Sequence, residues 1–244
     1  MSFDVSRLDR IRALFFDLDG TLLQVEMRQF IPTYLDGLAA HLGDRVDPPA
    51  FRALARNAIL QLLERRQRDG SNRRQFLRLL ETHGGISPQQ FERALGAYCD
   101  DGLEHLRPLV RPLPEIRTLL DTAFASGREV VIATNPVFPR EIVAARLRWG
   151  GMDDYPFALV SDWENSCLCK PAPGYFEDLL EHFNLRPEQA LMIGNDTGHD
   201  LAAGRVGIAT LLVDTWLIDR KEDAPPPDWR GDHQQLIEIL RRMV

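Results

Sequence analysis

Residues 13 to 21 read Ala13-Leu14-Phe15-Phe16-Asp17-Leu18-Asp19-Gly20-Thr21. An unbroken apolar run that ends at a polar turn is typical of a strand buried on both faces of a parallel sheet. Ligands of such sheets bind beyond the carboxyl ends of the strands. The sequence therefore predicts that Asp17 and Asp19 lie in a functional site at one edge of a parallel sheet.

The two carboxylates are separated by one residue, so both can reach one pocket. One carboxylate can attack an electrophile, while the other gives a proton to the leaving oxygen and later takes one from water. Gly20 lets the backbone turn without a Cβ clash, and Thr21 can offer a hydroxyl and an amide to an anion. Taken alone, the same residues are also compatible with an ordinary acidic turn.

Two further apolar runs end in polar turns. Val130-Val131-Ile132-Ala133 is followed by Thr134-Asn135-Pro136, which alone could be a plain strand-to-turn junction. Ala190-Leu191-Met192-Ile193 is followed by Gly194-Asn195-Asp196-Thr197-Gly198-His199-Asp200 and a helix predicted from Leu201. Between these runs, Cys169-Lys170-Pro171-Ala172-Pro173 opens a helix predicted over residues 174–183. The polar turns are therefore predicted to follow successive buried strands.

In their order and spacing, these four segments resemble the four motifs of the haloacid dehalogenase superfamily, most of whose members are magnesium-dependent phosphatases. The resemblance covers roughly Ile11 to Val213. It implies an α/β fold with a doubly wound, Rossmann-like parallel sheet and an inserted α-helical cap of the family's type 1. Residues 1–23 and 108–244 are expected to form the core, and residues 24–107 the cap.

Residues 24–107 read almost wholly as helix. Apolar residues recur at helical spacing from Met27 to Leu42 and from Phe51 to Leu63, and further helices are predicted near residues 75–81 and 88–105. A cap would shield an aspartyl phosphate from stray water and orient the leaving group. Substrate choice is therefore expected to depend mainly on the cap.

The resemblance implies catalytic and phosphate-binding roles. Asp17 is expected to attack phosphorus, and Asp19 to act as general acid and then as general base. Thr134 and Asn135 are expected to hold phosphoryl oxygens. Lys170 is expected to neutralise both the phosphoryl group and the nucleophile.

The resemblance also implies a Mg²⁺ site. Its ligands would be Asp17, Asp196 and the backbone carbonyl of Asp19, while Asp200 would orient Lys170 or a metal-bound water. Many relatives carry an Asp directly after the glycine of the fourth motif, where this chain has Asn195. Asp196 is nevertheless predicted to be the metal ligand.

Basic residues are distributed unevenly. The chain has 27 arginines and only two lysines, Lys170 and Lys221, so a compact ammonium at position 170 indicates a site too tight for a guanidinium fork. Five arginines cluster in the cap, where they could capture an anionic substrate tail but are more simply a solvated helix end: Arg65, Arg66, Arg68, Arg73 and Arg74. His199 is interpreted as a polar residue at the pocket rim.

Composition limits the partners. The net charge of −7 argues against nonspecific nucleic-acid binding. No apolar stretch approaches membrane-spanning length and the N-terminus lacks a signal-peptide core, so no membrane partner and a cytoplasmic location are expected. Cys99, Cys167 and Cys169 cannot all pair, which fits a reducing compartment, and they are interpreted as incidental thiols.

The remainder of the chain is predicted to complete the core. A strand is predicted over residues 208–213, a polar connector over residues 221–232, and a closing helix with its apolar face at Leu236, Ile237, Ile239, Leu240 and Met243. The pattern shows no internal repeat and no second catalytic domain.

The sequence thus predicts a Mg²⁺-dependent phosphatase acting on a small phosphorylated metabolite through an aspartyl-phosphate intermediate. Dehalogenases of the superfamily lack an acid at the position of Asp19, so its presence argues against carbon–halogen chemistry. A phosphomutase keeps all four motifs and stays an alternative, as does a noncatalytic binding or regulatory module that retains the fold. Phosphoglycolate, a nucleoside monophosphate or a sugar phosphate would each be a compatible substrate.

Overall fold

The computed structural model describes residues 5–43, 46–220 and 224–244. Six parallel strands form the main sheet in the order β5-β4-β1-β6-β7-β8, and β2 pairs with β3 in a separate antiparallel ribbon. The strands are β1 (Ala13–Phe16), β2 (Leu23–Val25), β3 (Val110–Pro112), β4 (Glu129–Ile132), β5 (Leu159–Val160), β6 (Ala190–Gly194), β7 (Ala209–Val213) and β8 (Trp229–Gly231).

Eight α-helices accompany these strands in the described parts of the chain. They are α1 (Met27–His41), α2 (Pro48–Glu64), α3 (Asn72–Gly84), α4 (Pro88–Asp101), α5 (Ile116–Ala125), α6 (Arg140–Trp149), α7 (Pro173–His182) and α8 (His233–Arg241). Short 3-10 helices span Val5–Arg10, Leu103–Leu109, Pro187–Gln189 and Leu201–Val206. No helix among the described residues has the length and apolarity to cross a bilayer, and the cytoplasmic location stays a prediction.

The three apolar runs form the centre of the sheet. β1 lies between β4 and β6, and its four residues are completely buried. Burial on both faces explains why these strands carry continuous rather than alternating apolar residues. The predicted doubly wound α/β fold is therefore confirmed.

Several predicted elements differ in detail. The helix expected after Asp200 is a short 3-10 helix, Leu201–Val206, which ends at Gly207 in the left-handed region with φ +87°. The predicted connector over residues 221–232 contains β8, whose three residues are too short to give a periodic signal. Residues 221–223, and with them Lys221, lie outside the described residues.

Helices α1 to α4 form the inserted cap. The chain leaves the core through β2 and returns through β3, and these strands pair antiparallel with Leu23 opposite Pro112 and Val25 opposite Val110. The two crossings between cap and core are thus hydrogen-bonded to each other. The domain boundaries at residues 24 and 107 stay a prediction.

The start of α3 anchors the cap on the core. The Asn72 backbone N–H donates to the Ser166 carbonyl at 2.8 Å, and its buried side-chain amide donates to the Pro136 carbonyl at 3.0 Å. The buried Trp163 of the core packs its ring 5.2 Å from Phe76 and 6.0 Å from Phe91 of the cap. The cap therefore lies closed against the loops that follow β4 and β5.

Asn72→Ala is expected to loosen this anchor. The change leaves the buried Pro136 carbonyl without its amide donor, which should lower the free energy of unfolding by about 1–3 kcal/mol. Denaturant titration and limited proteolysis of the cap–core junction would measure the effect. Arg66→Ala is the matched control, because the exposed Arg66 donates only to nearby carbonyls of α2 and its end. Equal stability of the two variants would contradict the assignment.

Candidate active site

A buried cluster lies at the carboxyl ends of the central strands. Asp17 follows β1, Lys170 precedes α7, and Asp200 follows the loop after β6. The Lys170 Nζ donates to Asp17 Oδ1 at 2.7 Å and to Asp200 Oδ1 at 2.6 Å. All three residues are buried, so the sequence segments expected to meet do meet here.

The cluster carries more negative than positive charge. Burial raises the pKa of Asp17 and raises that of Asp200 to about 6, because one ammonium cannot compensate two desolvated carboxylates. Burial alone would lower the pKa of Lys170, but the adjacent carboxylates raise it overall. Lys170 therefore stays protonated. With both carboxylates ionised, the cluster has a net negative charge that a further cation would neutralise.

Asp19 points to a different partner. Its Oδ2 accepts a hydrogen bond from Nη1 of Arg146, a residue of α6 that is completely buried. Asp19 Oδ1 and Arg146 Nη2 are both buried and have no hydrogen-bond partner among the described residues. Arg146 thus holds the carboxylate through Oδ2, while Oδ1 accepts no hydrogen bond from the described residues.

The turn after β1 depends on a glycine. Gly20 has φ +91°, and a Cβ at this position would lie 2.1 Å from Asn195 Nδ2. The Asn195 amide donates to the Trp216 carbonyl at 2.6 Å, and its Oδ1 lies 3.4 Å from Thr21 Oγ1. Asn195 therefore packs the turn against the loop after β7, and Asp196 is the first carboxylate after Gly194.

Asp196 is surrounded by donors. Its Oδ1 accepts from the backbone N–H groups of Gly198 and His199, both at 3.0 Å. Arg220 lies across the carboxylate, with Nε 2.7 Å from Oδ1 and Nη2 2.6 Å from Oδ2. Burial opposes ionisation, but the Arg220 hydrogen bond and the His199 contacts lower the pKa of Asp196 overall. A cation therefore already lies at this carboxylate.

Thr134 and Asn135 line the same edge after β4. Thr134 is buried, and its backbone carbonyl accepts from the Tyr175 hydroxyl at 3.0 Å. Asn135 Nδ2 lies 3.1 Å from His199 Nδ1, so the imidazole nitrogen accepts, and burial lowers the pKa of His199 to about 4. Asn135 Oδ1 is buried without a partner among the described residues. His199 thus orients the Asn135 amide.

Comparison with known proteins agrees with this arrangement. A family model described as haloacid dehalogenase-like hydrolase matches residues 11–207. The chain belongs to the haloacid dehalogenase-like (HAD-like) hydrolase family. Pyrophosphatase PpaX of Bacillus cereus is 26% identical over 238 residues, covering 96% of this chain and 98% of that protein.

Solved structures share the fold of this HAD-like hydrolase. A HAD phosphatase from Thermococcus onnurineus superposes with a TM-score of 0.56 at 22% identity, over 94% of this chain and 98% of that one. A predicted phosphoglycolate phosphatase from Haemophilus somnus gives a TM-score of 0.55 at 21% identity, over 95% and 97% of the two chains. The likeness extends over the cap as well as the core.

The donor set of the HAD-like site suits Mg²⁺. Among the described residues no three His, Cys, Asp or Glu side chains gather as a metal-ligand group. Mg²⁺, however, is commonly bound by one or two carboxylates and keeps several waters. Asp17 and Asp196 are the two carboxylates of this edge, and the unbalanced charge around Lys170 would be neutralised by a divalent ion. Arg220 binds both oxygens of Asp196, so an ion at that carboxylate would replace the guanidinium. The types of donor present fit the metal that the family commonly uses.

Three of the five cap arginines of this HAD-like hydrolase pair with carboxylates outside the candidate site. Arg65 pairs with Asp69, Arg73 pairs with Glu92, and Arg68 pairs with Glu177 and Asp178 of α7. Carboxylates of the protein thus bind these three arginines, which favours the solvated-helix interpretation. Arg68 in addition ties the cap to the core.

Sequence patterns missed two arginines of the HAD-like site, Arg146 and Arg220. Arg146 gave one usable signal: it lies four residues after Ile142 and three before Trp149, on the buried face of α6. A charged residue on an apolar helix face calls for a buried partner. Arg220 gave no comparable signal, because its contact with Asp196 depends on how the loop after β7 folds back.

His233→Gln is expected to change how stability depends on pH. The buried His233 Nε2 donates to the Thr21 carbonyl at 2.7 Å, and burial lowers the pKa of the imidazole. The unfolded chain therefore binds a proton that the folded chain resists, and stability falls as pH drops below about 6.5. Glutamine can keep the donor without titrating, so the variant should lose less stability between pH 7 and pH 5. Thermal unfolding measured at pH 5, 6 and 7 tests this. An equal fall in midpoint temperature between pH 7 and pH 5 for variant and wild type would contradict it.

Proposed function

We propose that this HAD-like hydrolase is a phosphatase that hydrolyses a small phosphorylated metabolite through an aspartyl phosphate on Asp17. One observation carries the proposal: a buried carboxylate at the end of the central strand is paired at 2.7 Å with a buried ammonium. Lys170 would offset the repulsion between this carboxylate and an incoming phosphate dianion. Asp19, two positions on, supplies the second carboxylate that the chemistry needs.

In the first step, an Asp17 carboxylate oxygen attacks phosphorus and the bond to the leaving oxygen breaks. Asp19 gives its proton to that oxygen, so the alcohol leaves neutral. In the second step, water attacks phosphorus and Asp19 takes the proton. The bond between phosphorus and Asp17 then breaks, which releases inorganic phosphate and restores the free carboxylate.

Thr134, Asn135 and Lys170 would hold the phosphoryl oxygens during both steps. The buried, unpartnered Oδ1 of Asn135 can accept a hydrogen bond from a protonated substrate oxygen or a hydroxyl. Asp17, Asp196 and the Asp19 backbone carbonyl would hold Mg²⁺, which when bound supplies positive charge to the phosphoryl oxygens. Asp200 would keep Lys170 oriented, as its 2.6 Å contact indicates.

The substrate class is proposed to be a small phosphate ester or pyrophosphate. Two similar proteins support candidates for the first assays: pyrophosphate, because of PpaX, and phosphoglycolate, because of the Haemophilus somnus structure. Sugar phosphates and nucleoside monophosphates complete the panel. The contacts that hold the cap closed against the core support a small substrate.

Phosphate release with Mg²⁺ across this panel tests the proposal. We expect release from at least one compound and its loss with a chelator. A sugar phosphate that isomerises only when a bisphosphate is present, without net phosphate release, would favour a phosphomutase instead. No turnover of either kind would favour a binding module and overturn the proposed phosphatase.

A further inference from the structure

Arg146 is a completely buried arginine beside the proposed acid and base. It projects from α6, donates through Nη1 to Asp19 Oδ2, and has its Nε 3.4 Å from the Ile142 carbonyl. Its guanidinium carbon lies 4.7 Å from the centre of the Phe138 ring and 5.8 Å from that of Phe30. Aromatic rings and Asp19 thus surround the charge on several sides.

Stability alone does not account for this pair. A buried ion pair seldom stabilises a fold more than apolar side chains of the same volume would. Here the pair is also incompletely satisfied, because Arg146 Nη2 and Asp19 Oδ1 are both buried without partners among the described residues. Unpaired buried polar atoms are costly, so their presence beside reacting groups points to a functional purpose.

The pair also lies where cap and core meet. Phe30 belongs to α1 of the cap, whereas Phe138 belongs to the loop after β4, and their rings pack edge to face with centres 5.8 Å apart. Both rings contact the guanidinium of Arg146. The closed cap therefore supplies one of the two rings that surround Arg146 and the carboxylate it binds.

We infer that Arg146 is a positioning residue that fixes the Asp19 carboxylate for proton transfer when the cap is closed. This inference rests on the proposed phosphatase function. Arg146 holds Oδ2, so Oδ1 is left as the oxygen that gives a proton to the leaving group and takes one from water. No atom of Arg146 needs to touch the phosphoryl group in this role.

Arg146→Met tests the inference through the leaving group. An alkyl phosphate needs protonation of its departing oxygen, whereas 2,4-dinitrophenyl phosphate releases a stable anion and does not. We expect kcat for the alkyl ester to fall by about a hundredfold or more. With the dinitrophenyl ester, the variant should release dinitrophenolate in a rapid burst equal in amount to the enzyme. Further dinitrophenolate should then appear slowly, because hydrolysis of the aspartyl phosphate still needs Asp19 as base.

The controls separate positioning from a structural role. Arg148→Met removes an exposed arginine of the same helix that pairs with Glu104, and it should retain wild-type kinetics. Arg146→Lys keeps one donor and should recover part of the alkyl-ester activity. Asp19→Asn with Arg146→Met removes both charges together, so this double variant leaves no buried charge unpaired if the single variant fails to fold.

The outcomes are distinguishable. The inference is supported if kcat for the alkyl ester falls no further in the double variant than in Asp19→Asn alone, and if Arg146→Met retains the burst. Equal loss on both esters without a burst, or additive losses in the double variant, overturns it. Wild-type protein that releases no phosphate from any ester would overturn the proposed function itself, and the inference with it.

Discussion

Replacing Asp17 with asparagine is expected to lower the rate of phosphate release by at least about a thousandfold. An amide is almost the same size as a carboxylate but cannot attack phosphorus to give a stable acyl phosphate. The variant should remain folded, because Lys170 keeps Asp200 as its partner at 2.6 Å. Burial disfavours the Asp17 carboxylate, as its raised pKa shows, so removing this charge imposes little cost on the fold.

Steady-state phosphate release and thermal unfolding of the Asp17 variant measure the two effects. Asp36→Asn is the matched control, because Asp36 is an exposed cap residue that pairs with Arg52. It should retain full activity. An Asp17→Asn protein that kept more than about a tenth of wild-type turnover, after contaminating hydrolases had been excluded, would contradict a role for Asp17 as nucleophile.

Replacing Lys170 with methionine is expected to damage both stability and catalysis. The change leaves Asp17 and Asp200 buried without their ammonium, which should lower the free energy of unfolding by about 3–5 kcal/mol. Loss of a preorganised cation should also lower turnover by about a hundredfold to a thousandfold. Chemical denaturation and phosphate release measure these effects separately.

The stability deficit of this variant should depend on pH. Burial already raises the pKa of Asp200 to about 6, and without Lys170 it would rise further. The carboxyl has a higher pKa in the folded chain than in the unfolded chain, where its pKa is about 4. Its protonated form therefore stabilises the fold at low pH, and this stabilisation is lost as the pH rises through the pKa of the folded chain. The deficit should therefore be larger at pH 8 than at pH 5.

A second variant keeps the Lys170 prediction sharp. Lys170→Met combined with Asp200→Asn removes one of the two carboxyls that lose their ammonium partner. The double variant should recover part of the stability without recovering turnover. A deficit that is the same at pH 5 and pH 8 would show that the buried carboxylates are not its cause. Full activity in Lys170→Met would contradict a role for the ammonium at the phosphoryl group.

The strands that carry the site were predictable because their signal is local. The runs at residues 13–16, 130–133 and 190–193 are apolar and bounded by polar turns, and they became three adjacent strands. Parallel neighbours bring their carboxyl ends to one edge of the sheet. The approach of Asp17 to the loop after β6, which carries Asp200, follows from that geometry, whereas the place of Lys170 before α7 was expected only from the family resemblance.

The contacts that the sequence did not predict depend on packing between distant segments. β2, β3, β5 and β8 are two or three residues long, too short for a periodic pattern. Arg146 reaches Asp19 across 127 positions of sequence, and it is one arginine among 27. Only the buried face of α6 distinguishes it from the exposed Arg148 nearby.

The proposed mechanism passes through a covalent phosphoryl group on Asp17. Acid quenching of the enzyme during turnover of its best substrate, followed by peptide mass spectrometry, tests it most directly. We predict a phosphorylated peptide that contains Asp17, absent from Asp17→Asn and more abundant in Arg146→Met with the dinitrophenyl ester. Phosphate release by an enzyme that carries no phosphoryl group on Asp17, or carries it on another residue, would contradict the proposed mechanism.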